Sequence, residues 1–163
     1  MNFKGQVAAV TGGATGIGRA IALKLAAHGA AVMIADINEE AAETTAAEVL
    51  EISGRSATFV TDVTNVAGCE GLAQTTIENL GPADFLINNA GHEVGGRKRL
   101  DEGSADEWAA ILETNVLGMF RVSRAIVPGM VARGCGHVVN IGSTSGLTAG
   151  ATRTAYAASK HAV

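Results

Sequence analysis

Short apolar runs and longer amphipathic stretches alternate along the whole chain. Residues 6–10, 31–35, 57–61, 83–88 and 136–141 are each mostly apolar over five or six positions, the pattern of strands covered on both faces. Residues 17–28, 39–52, 66–80 and a long stretch from about 105 to 131 instead space their apolar side chains by three and four, as helices do. Ser104 followed by Glu107 marks the start of the long helix as a capping box. Five apolar strands separated by helices predict an α/β fold, a doubly wound parallel sheet with right-handed crossovers, over a single domain spanning residues 1–163. Ligands of such sheets sit beyond the carboxyl ends of the strands, near the point where the strand order reverses.

The first strand and first helix are joined by residues 11–18, TGGATGIG. Gly12, Gly16 and Gly18 allow a sharp turn and a close backbone approach, and the helix that follows points unpaired N–H groups at whatever lies in front of it. A pyrophosphate suits that position. Asp36 closes the second strand, where a carboxylate can accept the hydroxyls of an adenosine ribose and would repel a 2′-phosphate. With no arginine or lysine at Thr15 or Ile37 to receive such a phosphate, NAD is favoured over NADP.

Composition narrows the possibilities. The 163 residues include 21 glycines, 47% hydrophobic residues and only 4% aromatic ones, which suits small-residue packing between helices and a sheet. A net charge of −4, with no basic cluster beyond Arg97, Lys98 and Arg99, argues against a nucleic-acid partner. No run is long enough to span a membrane, and two cysteines, Cys69 and Cys135, make no disulfide framework, so a cytoplasmic protein is expected. Cys135 and His137 are neighbours, but His28, His92 and His161 keep no ligand spacing with them, and no metal site is expected.

Three further features bear on chemistry. In the long helix Asn115 shares a face with Ile111, Leu112, Met119 and Val122, so its amide needs partners in an apolar stripe. The fifth strand runs into Gly142-Ser143, and thirteen residues beyond Ser143 comes YAASK, with Tyr156 and Lys160 four apart. If Thr152 or Thr154 caps a helix, both project from one face. A phenol ordinarily titrates near pH 10, and an ammonium within about 4 to 6 Å favours its charged form, which suits proton transfer.

Together these residues resemble the short-chain dehydrogenase/reductase family along the whole chain. Thr11 to Gly18 resembles its cofactor loop, Asp36 its ribose-binding acid, Asp62-Val63 its adenine-binding pair, and Asn88-Asn89-Ala90-Gly91 its NNAG motif. Asn115, Ser143, Tyr156 and Lys160 match its catalytic tetrad. The resemblance implies a Rossmann-like domain in which Gly12, Thr15, Gly16, Ile17, Gly18, Asp36, Ile37, Asp62, Val63, Asn89, Ala90 and Gly91 hold NAD, with Tyr156 and Lys160. It also implies hydride transfer between the cofactor and a secondary alcohol or ketone. Tyr156 would be general acid or base, Ser143 would bind the reacting oxygen, Lys160 would hold the nicotinamide ribose, and Asn115 would hold a water linked to Lys160. A homodimer or homotetramer is implied, with the fourth and fifth crossover helices paired.

Family members continue beyond the equivalent of Val163 into a sixth strand, a substrate-covering segment and a seventh strand. The fifth strand is therefore expected to be an open edge. Two functions remain open on this basis: part of an active oxidoreductase, or an NAD-binding module without turnover. The substrate is not legible from 91–99 and 145–153, the stretches expected to form its pocket.

Overall fold

A computed structural model of the chain describes residues 2–93, 98–148 and 150–163. Arg97 lies outside the described residues, as do other parts of the two stretches expected to form the substrate pocket, 94–96 and 149. The elements follow in order: β1 Val7–Thr11, α1 Gly16–Ala27, β2 Ala31–Asp36, α2 Glu39–Ser53, β3 Ser56–Val60, α3 Val66–Asn79, β4 Phe85–Asn88, α4 Ala105–Leu112, α5 Met119–Arg133, β5 His137–Asn140 and α6 Thr154–His161. All strand pairs are parallel, and the sheet order is β3-β2-β1-β4-β5. The connection from β3 to β4 crosses to the other side of β1, so the order reverses between β1 and β4.

Period-two alternation in the strands divides the core between the two faces. Ala9, Met33 and Leu86 pack with Leu72 of α3 and with Val122, Ile126 and Met130 of α5. Val10, Val32, Ile34 and Ile87 pack on the opposite face with Ala22 and Ala26 of α1 and Ala42 and Val49 of α2. Met33, Ile34, Leu72 and Leu86 are fully buried, each contributing about 1.5 to 3 kcal/mol of apolar transfer. Much of the helical surface between them is alanine, which brings α1 and α2 close to the sheet.

Side chains close several helix starts. Asn38 accepts from the N–H of Ala41 at α2, and Asn65 accepts from that of Gly68 at α3. At α4 both halves of the capping box form, with Ser104 Oγ accepting from Glu107 N–H and Glu107 Oε2 from Ser104 N–H. Gly54 ends α2 at φ 74°, a left-handed conformation suited to glycine.

Two expectations need correction. The stretch 105–131 is not one regular helix: a π-helical segment, Glu113–Gly118, separates α4 from α5. The wider turn carries Asn115 toward the loop after β4, and Gly118 meets Val63 where any Cβ would collide with the valine side chain. Second, neither Thr152 nor Thr154 caps the helix bearing Tyr156. Thr154 is its first residue, and Arg153 is its N-cap without a side-chain capping bond. As expected, β5 is an edge strand, and all four of its residues are exposed.

Replacing Ser104 with alanine removes the side-chain acceptor from one first-turn donor of α4, the Glu107 N–H. The expected loss is about 1 kcal/mol of unfolding free energy with an unchanged denaturant slope, read by urea titration.

Candidate functional site: a cavity at the strand-order reversal

A cavity of about 690 Å³ opens beyond the carboxyl ends of the strands. Its wall is assembled from the segments that follow all five strands, from the π-helical segment and from α6. Gly12, Thr15, Gly16 and Ile17 come from the β1–α1 turn, Asp36 and Ile37 from the end of β2, and Asp62 and Val63 from the segment after β3. Asn89, Ala90 and Gly91 follow β4, and Tyr156 and Lys160 project from α6.

The β1–α1 turn explains its glycines separately. Gly12 adopts φ 60°, and a Cβ there would press on the Asn89 amide and the Ala90 backbone. A Cβ on Gly18 would overlap the Gly12 carbonyl oxygen and the same amide, so Gly18 serves packing and does not line the cavity. Gly16, at φ 53°, faces open space. Thr15 precedes α1 in an extended conformation with no side-chain capping bond, so nothing on the Thr15 side chain competes for the amides of the first turn. An anion can take them.

Asp36 holds the turn as well as lining the cavity. Its Oδ2 accepts from Ala14 N–H at 3.0 Å and its Oδ1 from Asn38 N–H at 3.1 Å. An ionised carboxylate has about four acceptor sites, so capacity remains for ribose hydroxyls. Ile17 and Ile37 stand 63% and 73% exposed beside it, apolar surfaces against which a flat ring could lie. These features fit a dinucleotide: an uncapped helix start, open space at Gly16, an acid at the end of β2, and exposed isoleucines.

Asn89 is a strut. Its Nδ2 donates to the carbonyls of Thr11 at 3.1 Å and Gly12 at 2.9 Å, while the backbone N–H groups of Asn89 and Ala90 both donate to Thr11 Oγ1 at 3.1 Å. Asn88 points elsewhere, donating to Ser123 Oγ and Asn140 Oδ1.

The four residues of the expected tetrad do not all meet. Tyr156 and Lys160 share the cavity, with Lys160 Nζ 5.9 Å from the centre of the phenol ring and donating to the Ile141 carbonyl at 2.7 Å. Burial pushes the Lys160 ammonium below the usual lysine range. Asn115 is buried behind the cavity. Its Oδ1 accepts from His92 N–H at 2.9 Å, and its Nδ2 donates to the His92 carbonyl and to Ser159 Oγ, both at 3.0 Å. Its amide therefore ties the loop after β4 to α6. Ser143 Oγ accepts from Ser145 N–H at 3.1 Å and is not part of the lining, although Ile141 and Gly142 are.

The family model for short chain dehydrogenases matches residues 6–163. The chain belongs to that family. Among its relatives is the 3-oxoacyl-[acyl-carrier-protein] reductase FabG of Salmonella typhimurium, 36% identical over 160 residues, or 98% of this chain and 64% of that protein. Two solved structures superpose closely. NAD+-bound xylitol dehydrogenase has a TM-score of 0.95 at 35% identity, covering 99% of this chain and 62% of the other. Levodione reductase has a TM-score of 0.94 at 34% identity, covering 99% and 63%. The chain thus spans less than two thirds of the length of these relatives.

Some cavity residues were not singled out by sequence: His92, Glu93, Thr114 and Arg153. A signal for Arg153 was present, since it stands three residues before Tyr156 and so falls on the same side of the helix. Glu93 offered none, because only the fold brings it to Arg153. Among the described residues no helix is long and apolar enough to cross a membrane, and no cluster of three metal-ligating side chains forms.

The shift at Lys160 has a signed consequence. Its folded value lies below the unfolded value of about 10.4, so between the two the unfolded chain binds more protons and stability rises with pH. Below that window the cost of burying the ammonium is present in full; above it the cost is gone. Relative to Lys160→Met, the unsubstituted chain is expected to gain stability as pH approaches 10.4, measured by urea unfolding of both proteins across the alkaline range. A constant difference would contradict the burial effect.

Proposed function

We propose that this chain carries the cofactor-binding and proton-transfer residues of an NAD-dependent oxidoreductase acting on a small secondary alcohol or ketone. The observation that carries this reading is that Tyr156 and Lys160 face the same cavity as the uncapped start of α1. Family membership and the likeness to an NAD+-bound xylitol dehydrogenase support it.

In this reading the residues divide the work. Gly12, Thr15, Gly16, Ile17 and Gly18 shape the pyrophosphate cradle, Asp36 and Ile37 take the adenosine ribose, Asp62 and Val63 flank the adenine, and Asn89, Ala90 and Gly91 back the nicotinamide half. When bound, the nicotinamide supplies hydride chemistry. Tyr156 donates a proton to the substrate oxygen during reduction, or accepts one during oxidation, through its phenolic oxygen. Lys160 steadies negative charge on that oxygen and, if it lets go of the Ile141 carbonyl, can also reach a ribose hydroxyl. Asn115 positions α6 through Ser159 and the adjacent loop through His92. Ser143 is assigned to the reacting oxygen, which requires its hydroxyl to turn from Ser145 N–H into the cavity.

That requirement favours a second reading, a binding module without turnover, since Ser143 lies outside the lining as the chain stands. Assembly as a homodimer or homotetramer fits Leu117, Phe120 and Val131, which are exposed along the π segment and α5. A reducing cytoplasmic setting fits the free thiols of Cys69 and Cys135.

Two measurements test the reading. Calorimetric titration is expected to give at least about tenfold tighter binding of NADH than of NADPH, because a 2′-phosphate would face the Asp36 carboxylate. Equal or reversed affinity would refute the cofactor assignment. Tyr156→Phe is expected to lower turnover of secondary alcohols by at least about 100-fold, the usual scale of acid–base catalysis, with NAD affinity nearly unchanged. Tight NAD binding with no turnover by the unsubstituted chain would establish the second reading.

A further inference from the structure

Lys160 and Arg153 line the cavity, Lys98 and Arg99 line a smaller pocket next to it, and the partners of the four cations differ. Lys98 is bonded to Glu107, Arg99 to Asp101 at 3.0 Å, and Lys160 to the Ile141 carbonyl. Arg153 has no comparable partner among the described residues. Its nearest acid is Glu93, with Nε and Oε1 3.4 Å apart, and neither atom has a hydrogen-bond partner although both are shut off from solvent. Buried donors and acceptors are rarely left so, and such a pair marks a place that can take a further polar group.

The position of this loose pair gives it a use. Arg153 is the N-cap of α6, and its guanidinium carbon lies 5.9 Å from the centre of the Tyr156 ring. Both Arg153 and Glu93 line the cavity that Tyr156 enters. A group bound by Arg153 is therefore held beside the phenol. The guanidinium is planar, with paired donors that match a carboxylate, and Glu93 demonstrates that a carboxylate fits within reach of it. The arginine side chain is 35% exposed, so an arriving anion can reach the donors that Glu93 does not face.

We propose that Arg153 is a substrate-binding, specificity-determining residue that selects ketones or alcohols carrying a carboxylate, with Glu93 as the resident acid that partly offsets its charge. This rests on the oxidoreductase reading for the meaning of substrate, but the binding it describes requires no turnover. A carboxylate on Arg153 leaves the ketone oxygen free to approach Tyr156. Glu93 acts in the opposite sense. By occupying Arg153 it weakens anion binding, and it leaves neutral ketones without a charged anchor.

The test compares acids with their own esters. Pyruvate, acetoacetate and levulinate, in which the carboxylate stands at three distances from the ketone, are each titrated against the methyl ester by calorimetry or ligand-observed NMR. The chain is used with and without saturating NADH. At least one acid is expected to bind about tenfold more tightly than its ester, the scale of a charge-assisted hydrogen bond at a partly exposed site. Arg153→Gln is expected to abolish that preference, Arg153→Lys to restore part of it, and Glu93→Gln to tighten binding of the acid severalfold. Circular dichroism and NADH affinity unchanged in Arg153→Gln show that the variant is folded and its cofactor site intact.

No acid preference at any of the three distances would overturn the proposal. A preference that survives Arg153→Gln would do the same. Loss of NADH affinity in folded Arg153→Gln would also overturn it, since the guanidinium would then serve the cofactor. Failure of the oxidoreductase reading looks different: NADH fails to bind, or nothing turns over, while the acid and ester still separate on the bare chain.

Discussion

The cavity exists because the ends of β1 and β4 are held in register where the strand order reverses. Parallel neighbours elsewhere in the sheet are joined along their length. At this point the two chains leave in opposite directions, toward α1 and toward the loop at His92. Thr11 Oγ1 accepts from two successive backbone amides across the gap, while Asn89 Nδ2 spans back to the carbonyls of Thr11 and Gly12. Each bond stabilises by only about 1 kcal/mol net, but leaving any of these buried groups unpaired would cost more. The set also fixes where the glycine turn begins, because Gly12 and Gly18 pack against that same Asn89 amide.

A second fastening acts from behind. Asn115 reaches both backbone groups of His92 and the Ser159 hydroxyl, so one side chain links the loop after β4 with the helix that carries Tyr156 and Lys160. Ser159 in turn donates to the Tyr156 carbonyl. These contacts help to fix the orientation of α6. A regular helix through this region would turn Asn115 through a different angle. The π-helical turn is the local irregularity that brings its amide to bear, and such turns recur at functional sites.

Most of the architecture was legible in the chain. Continuous apolar runs located all five strands, and period-3.6 patterns the principal helices, within a few residues, because the strands carry few polar residues and the central ones are buried on both faces. The π segment was not legible: residues 113–118 keep ordinary helical composition, and the widened turn is set by tertiary bonds to His92. The Tyr156 helix was placed correctly but its cap was not, since two threonines suggested a local side-chain cap that tertiary contacts made unnecessary. In the cavity, residues tied to a turn or a strand end could be identified from motifs. The pairing of Glu93 with Arg153 could not, because sixty positions of chain separate them and only the return of α6 brings them together.

Asp36 illustrates how two roles can become inseparable. The carboxylate that would discriminate against a phosphorylated ribose is the same one that bonds Ala14 N–H in the β1–α1 turn and Asn38 N–H at the start of α2. Redesign of coenzyme choice at this residue therefore strips two supports from the loops that any coenzyme must grip. A replacement without an acceptor leaves the part-buried Ala14 N–H without its partner, so any such change loosens this turn unless another group takes over that amide.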